Sequence, residues 1–326
     1  MKWRVRISVA LFGAAFVQPQ SATLRLADTI AMPTVEGRID HLAIDVDGQR
    51  LFVAALGNNT LEVFDVRANR AIKSVGGFHE PQGIRYLPES RRVVVANGAD
   101  GMTTFLDGAT LAVTKTVKLS GDADNVRYDA NAGRVYVGYG SGALSILDPD
   151  GKALGDVKLA GHPESFQLEA GGPRVFVNVP SAGHIAVVDR DTRTVIATWP
   201  VTQARANYPM ALDEPHHRLF IGCRNPARLL AYDTTSGQLV TTVEIVGDTD
   251  DLFYDAARRR LYVIGGEGSI TVLEQQDPDH YRTVQKVTTA AGARTGLFVP
   301  ELGRVFLAVP HRGAQGAEIR IFSVVD

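Results

Sequence analysis

The chain has 326 residues, a formal net charge of −2 and an apolar fraction of 45%. That apolar content excludes wholesale disorder, and the near-neutral balance supplies no basic field to draw nucleic acid or anionic lipid. The single cysteine, Cys223, excludes an intramolecular disulfide, a C-x-x-C-H haem attachment and a thiolate metal cage.

Taken in chain order, the first feature is a targeting segment. Lys2, Arg4 and Arg6 precede an apolar run over 7–17. That run is too short to cross a bilayer as a helix and suits a cleaved secretory signal. Cleavage is expected near Ala22, although Gln20 departs from the small-x-small pattern. The mature chain, 23–326, is then expected to be periplasmic or secreted, with no membrane span.

From residue 50 onward a five-residue strand recurs seven times. It reads R-L-F-V-A from Arg50, R-V-V-V-A from Arg92, R-V-Y-V-G from Arg134 and R-V-F-V-N from Arg174. R-L-F-I-G from Arg218, R-L-Y-V-I from Arg260 and R-V-F-L-A from Arg304 complete the series. Successive arginines lie 42, 42, 40, 44, 42 and 44 residues apart. A period in this range predicts a β-propeller with one four-stranded sheet per repeat.

Each copy has the same grammar. In the first, a strand over 41–45 leads through a polar turn to the recurring strand. A Gly/Asn-rich loop, an alternating strand over 61–66 and a more polar strand over 71–75 follow. An acidic residue marks the turn between strands three and four: Asp65, Asp107, Asp148, Asp189 and Asp233, with Glu274 in the sixth copy. Such a side chain caps the turn backbone, which is a structural role. The recurring arginine opens a strand after a turn, where a long cationic side chain covers apolar surface and stays hydrated, so it too reads as scaffold.

The seventh copy stops after its third strand, over 318–325. An unpaired blade would expose a sheet edge. The unused strand over 23–31 can supply the missing fourth strand. The expectation is therefore an all-β, seven-bladed propeller over 23–326 with its ring closed by the N-terminal strand.

The segments R-V-V-V-A-N (92–97) and T-L-E-V-F-D (60–65) resemble the YVTN repeat of YncE-like bacterial exported β-propellers, although no copy carries the literal tetrapeptide. The resemblance covers the mature chain and implies the same fold and export. It implies little about chemistry, because one fold hosts many functions.

Strand alternation assigns the four-to-one and two-to-three loops to one face, around the mouth of the central channel, where propellers commonly hold ligands. Ten and nine residues before the anchor arginines stand Asp40–His41, Gln82–Gly83, Asp124–Asn125, Glu164–Ser165, Tyr208–Pro209, Asp250–Asp251 and Arg294–Thr295. Loops on that face add Asn58, His79, Asp122, His162, Arg224 and His311. The candidate ligand-binding set is Asp40, His41, Asn58, His79, Asp124, Glu164, Tyr208, Asp250, Asp251, Arg294 and His311. His216 and His217 fall on the opposite face, and Cys223 reads as a buried structural residue.

Three functions fit this pattern. The first is non-catalytic binding of a small molecule or a peptide-like, extracytoplasmic partner at the rim, by a monomer. The second is a lactonase-like hydrolase or a lyase, with Asp40, His41, Asp124, Glu164 and Arg294 supplying carboxylate, imidazole and cation. The third is a protein-interaction scaffold using the side of the disc. The rim histidines occupy non-equivalent repeat positions, which disfavours a symmetric iron centre. No cofactor is expected, and calcium or another divalent cation on the Asp-rich rim stays open. The chain has no Walker loop, G-x-S-x-G elbow, H-E-x-x-H or dinucleotide fingerprint. The loop over 310–317, with glycines at 313 and 316, reads as a lid over the channel or as a tolerated insertion.

Overall fold

The computed structural model describes residues 22–326. The expected signal segment lies outside these residues, except for its last position. Among the described residues no helix is long and apolar enough to cross a membrane.

Seven four-stranded antiparallel sheets form the blades of a seven-bladed β-propeller. Blade 1 contains Leu42–Asp45, Arg50–Ala55, Thr60–Asp65 and Arg70–Gly76 in order from the channel outward, and blades 2 to 6 follow the same plan. Blade 7 joins Gly296–Val299, Arg304–Val309 and Glu318–Val324 to the N-terminal strand Leu24–Ala31 as its outermost member. Leu24 faces Val324 and Ala31 faces Glu318 across that closing ladder. The expected N-terminal closure is therefore the one observed, and blade 7 has the same four strands as the others.

The recurring strand owes its apolar run to its position. It sits second from the channel, with a neighbouring blade on either face, so Leu51, Phe52, Val53 and Ala54 are all buried. A strand covered on both faces needs no polar alternation. The outermost strand of blade 1 is exposed over almost its whole length. Seven clusters of buried apolar side chains result, each filling the wedge between two adjacent blades.

The anchor arginines link one blade to the next. Arg50 donates to the Gly108 carbonyl in the three-to-four turn of blade 2. Arg174 reaches Thr234, Arg218 reaches Pro278, Arg260 reaches Val325 and Arg304 reaches Val66, each a backbone carbonyl at the matching place in the following blade. Arg92 instead pairs with Asp150 at 2.7 Å. At the blade 3–4 junction the direction reverses: Arg190, in the turn of blade 4, pairs with Asp129 of blade 3 at 2.6 Å. The scaffold role expected of these arginines holds, but it is a hydrogen-bonded strap in addition to apolar cover.

The acidic turns also behave as expected in five copies. Asp65, Asp107, Asp148, Asp189 and Asp233 each accept two backbone N–H bonds through Oδ1. The sixth differs. Strand three of blade 6 runs on to Asp277, which caps the turn from three residues beyond Glu274. Glu274 stays in the ladder and pairs with Arg282.

Candidate functional site

The seven residues ten positions before the anchor arginines, one from each blade, line a single cavity of about 320 Å³ at the channel mouth: Asp40, Gln82, Asp124, Glu164, Tyr208, Asp250 and Arg294. Arg38, His41, Asp122, Asn125, His162, Ser165 and Arg224 complete its wall. The convergence follows from the fold, since these residues hold one equivalent position, at or just before the innermost strand, in every blade. Blades 2 and 3 meet closely there. A Cβ on Gly83 would lie 2.0 Å from the Asp124 carbonyl oxygen, so only glycine lets the two strand starts touch.

Most of the charge in this cup is paired. Arg38 donates to Asp40 at 2.7 Å, and Asp40 is almost fully buried. His41 lies between carboxylates, 3.6 Å from Asp40 and 3.5 Å from Asp251. Arg224 donates to Asp250 at 2.5 Å and to the Thr249 carbonyl at 2.9 Å, with its guanidinium 3.8 Å above the centre of the Tyr208 ring. Arg294 donates to Asp248 at 2.9 Å. His162 holds the Gly140 carbonyl at 2.7 Å through Nδ1 and presents Nε2 to Asp124 at 3.9 Å. A buried amide pair fixes the Tyr208 backbone: Asn207 donates to Asn178, which donates to the Tyr208 carbonyl.

Four polar groups are left over. Asp250 Oδ2, Asn125 Oδ1 and Arg294 Nε make no hydrogen bond among the described residues, although Asp250 Oδ2 lies 3.9 Å from Arg294 Nε and 3.9 Å from Arg38. Glu164 has no ion-pair partner among the described residues.

Electrostatics separates these groups. Burial, reinforced by the neighbouring Asp124 charge, pushes the Glu164 carboxyl up to about 8. Burial likewise raises Asp250 to about 7, against the pull of Arg224. Burial works to lower the His41 imidazole, but Asp251 and Asp40 outweigh it and hold it up at about 10. Burial opposes the charge on His162 too, yet Asp124 and the Gly140 carbonyl raise it to about 9. Burial would lift Asp124, but the bond to His162 and the His41 charge outweigh it and hold this carboxyl below its ordinary value.

Seven of the eleven sequence candidates share this cavity: Asp40, His41, Asp124, Glu164, Tyr208, Asp250 and Arg294. Asp251 faces a deeper chamber and accepts the Gly296 N–H at 2.8 Å. Asn58 is a loop residue, bonded to the Glu36 N–H and the Thr60 hydroxyl. His79 is exposed and paired with Asp100 at 2.6 Å, away from the cup lining. His311 pairs with Glu36 at 2.6 Å in a side recess shared with Arg38, Arg294 and Arg312. Its loop is a small hairpin closed by reciprocal Arg312–Gln315 backbone bonds.

Sequence reasoning missed Arg38. Its only sequence signal is a place two residues before Asp40, on the same side of an extended chain. Among the described residues no three His, Cys, Asp or Glu side chains are grouped to hold a metal ion. Cys223 is buried, and burial pushes its thiol up to about 12, which fits the structural reading.

Fold and cup together define a seven-bladed β-propeller with a polar, charge-lined channel mouth. No protein-family model matches the chain. Among solved structures, a chain in the crystal structure of a mitotic checkpoint complex is similar to it, with a TM-score of 0.78 at 10% identity. The match covers 99% of each chain, and at that identity it speaks for the fold alone.

Proposed function

We propose that this chain is an exported, YncE-like propeller that binds a small polar molecule in the channel-mouth cup and does not transform it. The carrying observation is the convergence of one polar residue from every blade on a cavity whose charges are mostly paired with one another. Three of the four leftover groups, Glu164, Asp250 Oδ2 and Asn125 Oδ1, bear carbonyl or carboxyl oxygens, which favours a ligand rich in N–H or O–H donors. The basic n-region, the short apolar run and the repeat pattern support the exported, YncE-like part of the reading. Cell fractionation tests that part.

Binding is tested by calorimetry with a panel of small amines, amino acids and sugars. At least one class binds the wild type and loses about tenfold or more in affinity in Glu164→Gln and Asp250→Asn. A panel that binds equally to all three proteins contradicts the reading.

A second reading, an acid–base hydrolase or lyase, has one observation in its favour. Two carboxyl groups of the same cup, Glu164 and Asp124, are pushed in opposite directions, as a general acid and a general base require. Lactone turnover lost in both Glu164→Gln and Asp124→Asn would establish it. The scaffold reading has less surface to rest on. Among the described residues, large exposed apolar residues number one each on the outer strands of blades 7, 1 and 2 and two on blade 4.

A further inference from the structure

Next to the cup along the channel is a second chamber of about 340 Å³, and His41 and Ser165 line both cavities. Two arginines enter it from adjacent blades at matching positions, each seven residues before its anchor: Arg85 in blade 2 and Arg127 in blade 3. Both innermost strands carry a bulge just before these residues, between Pro81 and Ile84 and between Ala123 and Val126. A bulge breaks the alternation of faces, so residues three apart both face the channel.

Among the described residues no carboxylate lies within ion-pair distance of either guanidinium. Arg127 spends its donors on neutral groups, the Val126 carbonyl at 3.0 Å and the Ser165 hydroxyl at 3.1 Å. Arg85 makes no side-chain hydrogen bond among the described residues. The acidic groups around the chamber are engaged or remote. Asp251 accepts the Gly296 N–H and faces His41, Asp124 faces His162, and Glu301 acts on Arg85 only at a distance. Burial, with Arg85 as a like charge, pulls the Arg127 guanidinium down to about 10. Arg85 is accessible to channel water, yet the surrounding protein depresses it as well. Two guanidinium charges lining one cavity with no carboxylate between them repel each other unless an anion joins them, and a planar guanidinium pair matches a carboxylate.

We infer that this chamber is an anion site, distinct from the cup, in which Arg85 and Arg127 hold the carboxylate of a small organic acid. The rest of the wall selects the class. Leu42, Ile84, Met210, Leu252 and Phe298, each nearly buried, add apolar patches to a largely polar wall, which gives the hydrocarbon body of a small acid a contact that inorganic phosphate cannot use. The Ser165 hydroxyl, bonded to Arg127, is placed to donate to the same carboxylate.

The test is calorimetric titration of the whole mature protein, in buffer free of chloride and of organic acids, with hexanoate, hexanol and inorganic phosphate. Hexanoate binds, hexanol does not, and phosphate binds at least about tenfold more weakly than hexanoate. Arg127→Gln and Arg85→Gln each weaken hexanoate by about tenfold or more. Arg85→Lys keeps the charge without the fork and weakens it less, which separates recognition from misfolding. Glu164→Gln, a cup variant, binds hexanoate like the wild type. The inference is overturned by absent hexanoate binding, by affinity unchanged in both glutamine variants, by phosphate binding more tightly than hexanoate, or by loss in Glu164→Gln.

Discussion

Replacing Glu164 with glutamine makes the propeller more stable in alkali and leaves it unchanged in acid. The carboxyl is raised from 4.5 to about 8 in the folded state, by burial first and the Asp124 charge second. A raised acid binds its proton more tightly folded than unfolded. Between pH 4.5 and about 8 the native state therefore holds more protons, and stability falls as pH rises through that window. Every tenfold gain in proton affinity is worth about 1.4 kcal/mol, so the whole displacement caps the penalty at about 5 kcal/mol. Water entering the open cup screens part of it, and a gain of about 2 kcal/mol for Glu164→Gln at pH 9 is the working figure. Urea unfolding of both proteins at pH 5 and pH 9 reads this directly. The variant matches the wild type at pH 5, where Glu164 is already protonated and nearly isosteric with glutamine. A difference that is the same at both pH values refutes the reasoning, because a packing effect does not depend on pH.

His41, held up at about 10, stays protonated through neutral pH, so its imidazole shifts in NMR do not titrate between pH 6 and 8.5. Its stabilising contribution is complete below pH 6.5 and disappears as pH rises through about 10. Removing it as His41→Gln costs about 2 kcal/mol at pH 7 in urea unfolding, since Asp40 and Asp251 lose their shared cation. Arg174→Met breaks both the strap to Thr234 and the pairing with buried Glu169, at a cost of about 2–3 kcal/mol by the same assay. Gly83→Ala drives a methyl into the Asp124 backbone, costs about 2 kcal/mol or more, and displaces Asp124 enough to lower His162 in an NMR titration. Cys223 fails to react with a thiol reagent until the protein unfolds, because it is buried and its thiol stays protonated.

The blades were legible because the second strand is buried on both faces, which forces an apolar run behind the same turn in every copy. Counting back ten residues from each anchor arginine found the cup, because that position is equivalent in all seven blades and lies at the mouth of the channel. The failures have local causes. Asn58, His79 and His311 belong to loops on the correct face, but these three pair with Thr60, Asp100 and Glu36 and stay off the cup lining, whereas Asp122, His162 and Arg224 from the same face line it. Arg85 and Arg127 were invisible because strand alternation puts them on the face opposite Gln82 and Asp124, and the bulges that bring them back leave no sequence signature. Glu274 illustrates the same limit: a strand three residues longer moved the cap to Asp277.

The central claim is that the cup is a ligand site, and native mass spectrometry of the protein purified from cells that make it naturally tests it most directly. The account predicts a small molecule that copurifies with the wild type and is lost from Glu164→Gln and Asp250→Asn, both still folded. A protein that is bare in every preparation, or a bound mass indifferent to both substitutions, would contradict it.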